Sequence, residues 1–293
     1  MITGYLAPLG LEEPLEKELR NIVARYDRLF LAEGDPQPAY WAQNIWHDAQ
    51  TIPFQSISEA AKKLRSLNGL WAHYPYMDIR RGELIASHLP FFSPKPLSFG
   101  TKAPNTPLGS WTLLDKNTLL ASKHCSSPFA HGEIHFQETP IPPSRAYLKL
   151  WEILTRIDQM PKKGDQCLEL GASPGSWTWV LQQLGTKVIA VDRAKLDPAI
   201  SALPNVSFMK KDAFSIQPKD FPSLNWIFSD LICYPEKLLQ WLAPWLETDV
   251  KLVCTLKFQG ENDYEIVKEF EKIPNSQIFH LFHNKHELTW VRT

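Results

Sequence analysis

Along the second half of the chain, short apolar runs recur at intervals and are separated by stretches of helical composition. Residues 166–171, 187–192, 205–210, 225–230 and 250–256 each read as a strand, because an unbroken apolar run of this length suits a sheet covered on both faces. Ser144 is expected to cap a helix running to about Gln159. The pattern then changes. Gln277–Phe282 and Leu288–Arg292 are strand-like and flank His283-Asn-Lys-His286, which predicts a closing antiparallel hairpin.

The first half is less regular. Tyr5–Leu9 and Leu29–Ala32 read as strands, and Leu11–Tyr26 as a helix carrying Leu15, Leu19, Ile22 and Val23 on one face. Ser56–Ser66 reads as a helix capped by Ser56 or Ser58, and Trp41, Trp46 and Trp71 as core residues. Pro90, Pro94, Pro96, Pro104 and Pro107 mark 90–109 as an extended loop, after which Trp111–Leu114 and Leu119–Ser122 predict a β-hairpin. The stiff segment Thr139-Pro-Ile-Pro-Pro143 is the best domain boundary. The expected architecture is a smaller α+β domain over 1–138. An α/β domain over 139–293 follows, with a mostly parallel sheet ending in an antiparallel hairpin.

Composition narrows the function classes. The 293 residues are 44% hydrophobic with a net charge of −1, so the chain is globular and carries no global positive field. Any nucleic-acid surface is therefore local; Lys62, Lys63, Arg65, Arg80 and Arg81 are candidates, although charged faces are commonly only solvated. Four scattered cysteines without a C-x-x-C pair suit reduced thiols, and no apolar run approaches membrane-spanning length. A soluble cytoplasmic protein is expected. The histidines near 280–286, and Cys125 with His124, His131 and His135, lack paired-ligand spacing, so no metal is expected.

The chemistry concentrates in Cys167-Leu-Glu-Leu-Gly-Ala-Ser-Pro-Gly-Ser-Trp177. A strand, a tight turn over Gly171–Gly175 and a helix from Ser176 bring backbone N–H groups and a helix N-terminus around one crevice. Asp192 ends the next strand, where an acid can accept both hydroxyls of a ribose. Dinucleotide sites carry G-x-G-x-x-G, whereas here Gly171 and Gly175 are followed by Ser176 and Trp177. A tryptophan there leaves little room for a pyrophosphate. The pattern suits S-adenosylmethionine, and the closing hairpin agrees, since methyltransferases of that cofactor end their parallel sheet in this way. Asp230 and Lys257 close two further strands and should face the same crevice, although a lysine there could simply snorkel to solvent.

Ser144-Arg-Ala-Tyr-Leu-Lys149-Leu-Trp-Glu-Ile, Glu169-Leu-Gly-Ala-Ser-Pro-Gly-Ser-Trp177, Asp192, Asp230, Lys257-Phe-Gln-Gly and Glu287 together resemble FtsJ-type 2′-O-ribose RNA methyltransferases. The RlmM-type enzymes of large-subunit ribosomal RNA are the most similar group. They resemble this chain also in Ser126-Ser-Pro-Phe-x-x-Gly132 and in the ending around Glu287. The resemblance implies a Rossmann-like catalytic domain and a lysine–aspartate–lysine–glutamate tetrad at Lys149, Asp230, Lys257 and Glu287. It implies S-adenosylmethionine held by Gly171, Ser173, Pro174, Gly175, Ser176, Trp177, Asp192, Asp212 and Asp230, with Ser144 near its methionine end. An RNA substrate and a THUMP-like RNA-binding N-terminal region are implied too. Glu169 stands where the family usually has aspartate, and Ser176 where it usually has glycine.

Other classes fit less well. Amino-group methyltransferases commonly show Asn/Asp-Pro-Pro-aromatic after the fourth strand, but here the segment is Ser229-Asp-Leu-Ile-Cys. Cytosine C5 methylation needs an exposed cysteine, and Cys254 lies within an apolar strand. A non-catalytic RNA-binding or assembly factor of the same fold, or a small-molecule O-methyltransferase, stays open as an alternative.

Overall fold

The computed structural model describes residues 1–91, 95–258 and 265–293, so that Pro94 and the Gln259-Gly260 that follow Lys257-Phe258 lie outside the described residues. The chain forms two compact units, residues 1–137 and 138–293.

The first unit runs β1 (Ile2–Leu6), α1 (Glu12–Glu18), β2 (Ile22–Tyr26), β3 (Leu29–Glu33), β4 (Asn44–His47), β5 (Gln50–Pro53), α2 (Ile57–Leu67), β6 (Trp71–His73), α3 (Ile79–Ala86), β7 (Gly109–Asp115), β8 (Thr118–Ser122) and β9 (His124–Cys125). These strands form two sheets, ordered β2-β3-β1-β4-β9 and β5-β8-β7-β6. The helix expected over Leu11–Tyr26 is only its first half. The chain turns through Asn21 at φ +56°, and Ile22–Tyr26 pairs antiparallel with β3. Leu15, Leu19 and Ile22 fit a helical stripe, but Ile22, Ala24 and Tyr26 also share one strand face, and the β-branched pair Ile22-Val23 favours the strand. The first strand, expected at Tyr5–Leu9, lies at Ile2–Leu6.

The expected α2 helix and the β7–β8 hairpin are present. Ser56 caps α2, its hydroxyl accepting from the Glu59 N–H at 3.2 Å. β7 and β8 form the expected hairpin, with the turn held by the Asn117 N–H on the Asp115 carboxylate at 2.7 Å. Trp41, Trp46 and Trp71 are buried, the last packed with Phe54, Leu64 and Trp111.

The second unit runs α4 (Tyr147–Arg156), β10 (Gln166–Leu170), α5 (Ser176–Gln183), β11 (Lys187–Asp192), α6 (Pro198–Ser201), β12 (Val206–Lys210), β13 (Trp226–Ser229), α7 (Pro235–Leu246), β14 (Lys251–Lys257), α8 (Glu265–Glu271), β15 (Ser276–Phe279) and β16 (Glu287–Arg292). Its sheet is ordered β12-β11-β10-β13-β14-β16-β15, parallel through β14 and antiparallel thereafter. The expected α/β architecture is present, finished by the antiparallel pair. Helices cover a sheet whose central strands are buried, so Cys254 has no exposure and burial holds its thiol well above the usual range. It is a core residue.

The order reverses beside β10, with β11 on one side and β13 on the other. Such a switch point opens a crevice at the carboxyl ends of the strands, where loops diverge in opposite directions. Two details differ from expectation. Ser144 lies ahead of the helix rather than at its cap, which is Ala146. The helix ends at Arg156, because Asp158 takes φ +49° and cannot continue it.

Candidate active site

The turn after β10 shapes the floor of the crevice. Gly171 has φ +75°, and a Cβ there would stand 3.2 Å from the backbone of Asp230 and Leu231. Gly175 has φ +117°, and its Cβ would stand 2.7 Å from Ile200. Both positions need glycine for conformation and for space. Asp192 braces this turn, its Oδ2 accepting from the Ser173 N–H at 3.0 Å and its Oδ1 from the Ala194 N–H at 2.8 Å. Each oxygen keeps a second lone pair for a hydroxyl. The crevice has a volume of about 660 Å³. Gly171, Ser173, Pro174, Asp192, Asp212 and Asp230 all line it, as does Lys257.

Four expected cofactor residues stand behind this lining. The Ser176 hydroxyl is 2.8 Å from that of Ser144, and it also accepts from the Ser144 N–H and donates to the Ser144 carbonyl, both at 3.0 Å. Trp177 is buried with its Nε1–H on the Ala146 carbonyl at 2.9 Å, so its ring packs beneath α4 rather than facing a ligand. Gly175 caps α5 next to them. The bulk of Trp177 therefore does not exclude a pyrophosphate directly. With Ser144 and Ser176 it pins the approach to α4 onto the start of α5. Sequence reasoning also missed Phe214, Ile232 and Tyr234, which line the crevice; Ile232 and Tyr234 are exposed apolar residues beside Asp230.

Lys149, Asp230, Lys257 and Glu287, far apart in sequence, converge at one point. Lys149 Nζ donates to Asp230 Oδ2 at 2.8 Å, to Asp230 Oδ1 at 3.0 Å and to Glu287 Oε1 at 3.0 Å. Lys257 Nζ lies 2.9 Å from both Asp230 Oδ1 and the Asp230 carbonyl oxygen. The Thr255 hydroxyl adds a further bond to Asp230 Oδ1 at 2.9 Å. The sheet makes this meeting: Asp230 follows β13, Lys257 ends β14, and Glu287 faces Lys257 in register across β14 and β16. Lysine snorkelling does not describe Lys257, whose side chain is 18% exposed and held by Asp230.

Burial by itself would depress the Lys149 ammonium, but Asp230 and Glu287 more than offset this and hold it above the usual lysine range. Burial likewise works against the Asp230 carboxylate, and Lys149 and Lys257 together hold it below the usual carboxylate range.

Two buried carboxylates surround this group. Glu169 in β10 is 3% exposed, and its Oε2 accepts from the Thr178 hydroxyl at 2.5 Å. Burial pushes its carboxyl up to about 8, against the help of Thr178. Below about pH 4.3 both folded and unfolded chains hold this proton; between there and about 8 only the folded chain does, so this residue makes stability fall as pH rises through that window. Glu169→Gln is therefore expected to melt progressively higher than the unsubstituted chain from pH 5 to pH 8. A melting difference independent of pH would contradict this.

Glu152 in α4 has no exposure at all. Its Oε1 accepts from Arg156 and from the Phe282 N–H at 2.9 Å. Its Oε2 accepts from the His283 N–H at 3.1 Å and from His283 Nδ1 at 2.7 Å.

A switch-point crevice with a glycine turn, a strand-end acid and a closing antiparallel pair is the layout of an α/β methyltransferase domain. Residues 142–273 match the model of the FtsJ-like methyltransferase family. That match lies within the second unit, which is similar to FtsJ-like methyltransferase domains. Ribosomal RNA large subunit methyltransferase M of Halorhodospira halophila is 29% identical over 157 residues, covering 50% of this chain and 46% of that protein. The protein of the same name from Pseudoalteromonas atlantica is 31% identical over 169 residues, covering 50% and 47%. That from Haemophilus ducreyi is 29% identical over 187 residues, covering 58% and 52%. The chain spans about half the length of the curated relatives it matches.

S-adenosylmethionine, the donor this family implies, fits the crevice. The volume suits a ligand of that size, the glycine cradle admits its backbone contacts, and Asp192 keeps lone pairs for ribose hydroxyls. Gly171→Ala is expected to weaken S-adenosylmethionine binding at least about tenfold by calorimetry, since left-handed strain of about 1–2 kcal/mol adds to contact with the Asp230 backbone. Unchanged affinity would remove the turn from the cofactor site. Among the described residues no group of three or more metal-ligating side chains is present, and no helix is long and apolar enough to cross a membrane.

Proposed function

We propose that this chain transfers a methyl group to a ribose 2′-hydroxyl of RNA, with ribosomal RNA of the large subunit as the substrate class. The observation that carries this reading is the convergence of Lys149, Asp230, Lys257 and Glu287, of which Asp230 and Lys257 line the crevice. The names of the relatives support the substrate class.

Bound S-adenosylmethionine would supply a methyl group already activated on a sulfonium, so the chain's task is to align a poor nucleophile and accept one proton. Lys257 lines the crevice and has two of its three bonding positions fixed by Asp230. It orients the 2′-hydroxyl and takes its proton as the new O–C bond forms and the S–C bond breaks. To do so it must be neutral beforehand. Asp230 divides its charge between Lys257 and the Lys149 ammonium, and Glu287 holds Lys149 in place. Asp192 and Asp212 are assigned to the nucleoside part of the cofactor, the former at the ribose and the latter beside adenine. Asp212 Oδ1 accepts from the Phe214 N–H at 3.1 Å and its other oxygen pairs with Arg193.

The first unit is assigned to RNA binding in a THUMP-like manner, and a cytoplasmic location goes with a ribosomal substrate. The test is titration of fluorescent ribosomal RNA fragments with the full chain at increasing salt. RNA as substrate predicts an affinity that falls steeply with log salt. Affinity too weak to measure even at low salt would count against an RNA substrate.

A further inference from the structure

We propose that Glu152 is a positioning residue for methyl transfer, holding Glu287 against Lys149 by anchoring the backbone at Phe282–His283. The proposal rests on the tetrad reading given above.

Glu152 lies on α4 one turn beyond Lys149, and the two side chains engage opposite ends of one short segment. Lys149 bonds Glu287 at 3.0 Å, and Glu152 accepts from the Phe282 and His283 N–H groups at 2.9 and 3.1 Å. Four residues lie between Phe282 and Glu287. Between them the segment is braced from within: the Asn284 amide donates to the Glu287 carbonyl and to Thr289 Oγ1, both at 3.1 Å. Glu152 fixes the outer end, Asn284 stiffens the middle, and Glu287 is delivered at the inner end in register with Lys257.

The chemistry of the site argues against a role in packing alone. A fully buried carboxylate is an expensive way to fill space, and an apolar residue of similar size commonly serves better. Its neighbours on α4, Leu150, Trp151, Ile153 and Leu154, fill the core with apolar groups. Against this burial penalty, Arg156 and then His283 hold the Glu152 carboxyl below its usual range. The anion accepts two backbone N–H groups and one imidazole from the same two residues, a geometry that fixes a chain position rather than a side-chain volume.

The test compares Glu152→Gln in the full chain with the unsubstituted protein by crystal structure, by calorimetry with S-adenosylmethionine, and by methyl-transfer kinetics on ribosomal RNA. The glutamine keeps the size but presents its NH2 group to a backbone donor. The Lys149–Glu287 distance should lengthen beyond hydrogen bonding, kcat should fall about 10- to 100-fold, and the affinity for S-adenosylmethionine and the KM for RNA should stay within about twofold. On a Glu287→Gln background the same substitution should add less than a threefold loss. An unchanged Lys149–Glu287 contact, or losses that multiply in the double variant, would overturn the proposal. The crystal structure reads the positioning even if no RNA is methylated by the unsubstituted chain, so failure of the methyl-transfer reading is separately visible. Should Glu152→Gln not fold, Glu152→Asp, which keeps the charge but withdraws the carboxylate by one methylene from the Phe282 and His283 N–H groups, decides the matter: a displaced Glu287 supports the proposal and an unmoved Glu287 contradicts it.

Discussion

Lys257→Ala should abolish measurable methyl transfer, a loss of about 10²- to 10⁴-fold or more, while S-adenosylmethionine binds within a few-fold of the unsubstituted affinity. The reasoning is geometric. Lys257 lines the crevice, but its polar contacts run to Asp230 rather than to the glycine turn or Asp192. Its removal takes away the group that orients the hydroxyl and receives its proton, and leaves the cofactor's cradle intact. Asp230 keeps Lys149 as a partner at 2.8 Å, so the fold should lose little. Near-normal turnover in the alanine variant would exclude a catalytic role for Lys257. A parallel loss of cofactor affinity would shift its role from chemistry to binding.

Lys149→Met should have the larger effect on stability. Lys149 is 9% exposed and bonds both Asp230 and Glu287, so the substitution leaves two shielded carboxylates without the ammonium that joins them. Breaking a buried ion pair from one side costs about 3–5 kcal/mol, which corresponds to a drop of roughly 6–20 °C in the melting of a unit this size. Activity should fall with it, since Asp230 no longer divides its charge and pairs with Lys257 alone. The pH dependence has a definite sign. Asp230 is held below its usual range, so its share of stability is present above about pH 3.9 and disappears as pH falls further. Lys149 is held above its usual range, so its share is present below about pH 10.4 and disappears as pH rises further. The melting difference between variant and parent should therefore be flat from about pH 5 to pH 9 and narrow outside it. Calorimetric scans across that range measure this, and a difference that peaks near neutrality would contradict the pairing.

The second unit is largely legible in the sequence because its central strands are buried on both faces. Leu168, Ala190, Ile227 and Val253 sit in runs with almost no polar interruption, and each run ends on a residue that faces the crevice. Chemistry placed at strand ends is visible in one dimension. The first unit hides its strands for the opposite reason: β4, β5 and β6 are three or four residues long and half-covered, too short to show a period. The stripe of Leu15, Leu19 and Ile22 satisfied a helix and a helix-then-strand equally well, and the positive φ at Asn21 decided between them. Orientation was harder than position. Trp177 falls at the start of α5 as the sequence suggests, yet nothing in the sequence indicates that its ring turns under α4. Glu152 was hidden altogether, because a helical glutamate is usually solvated and its partners lie 130 and 131 residues away.

The most direct measurement is nucleoside mass spectrometry of ribosomal RNA incubated with the purified chain and methyl-labelled S-adenosylmethionine, beside Lys257→Ala. Label in a 2′-O-methylnucleoside with the unsubstituted chain, absent with the variant, is the predicted result. Label on a base, or equal label with both proteins, would contradict ribose methylation by this tetrad.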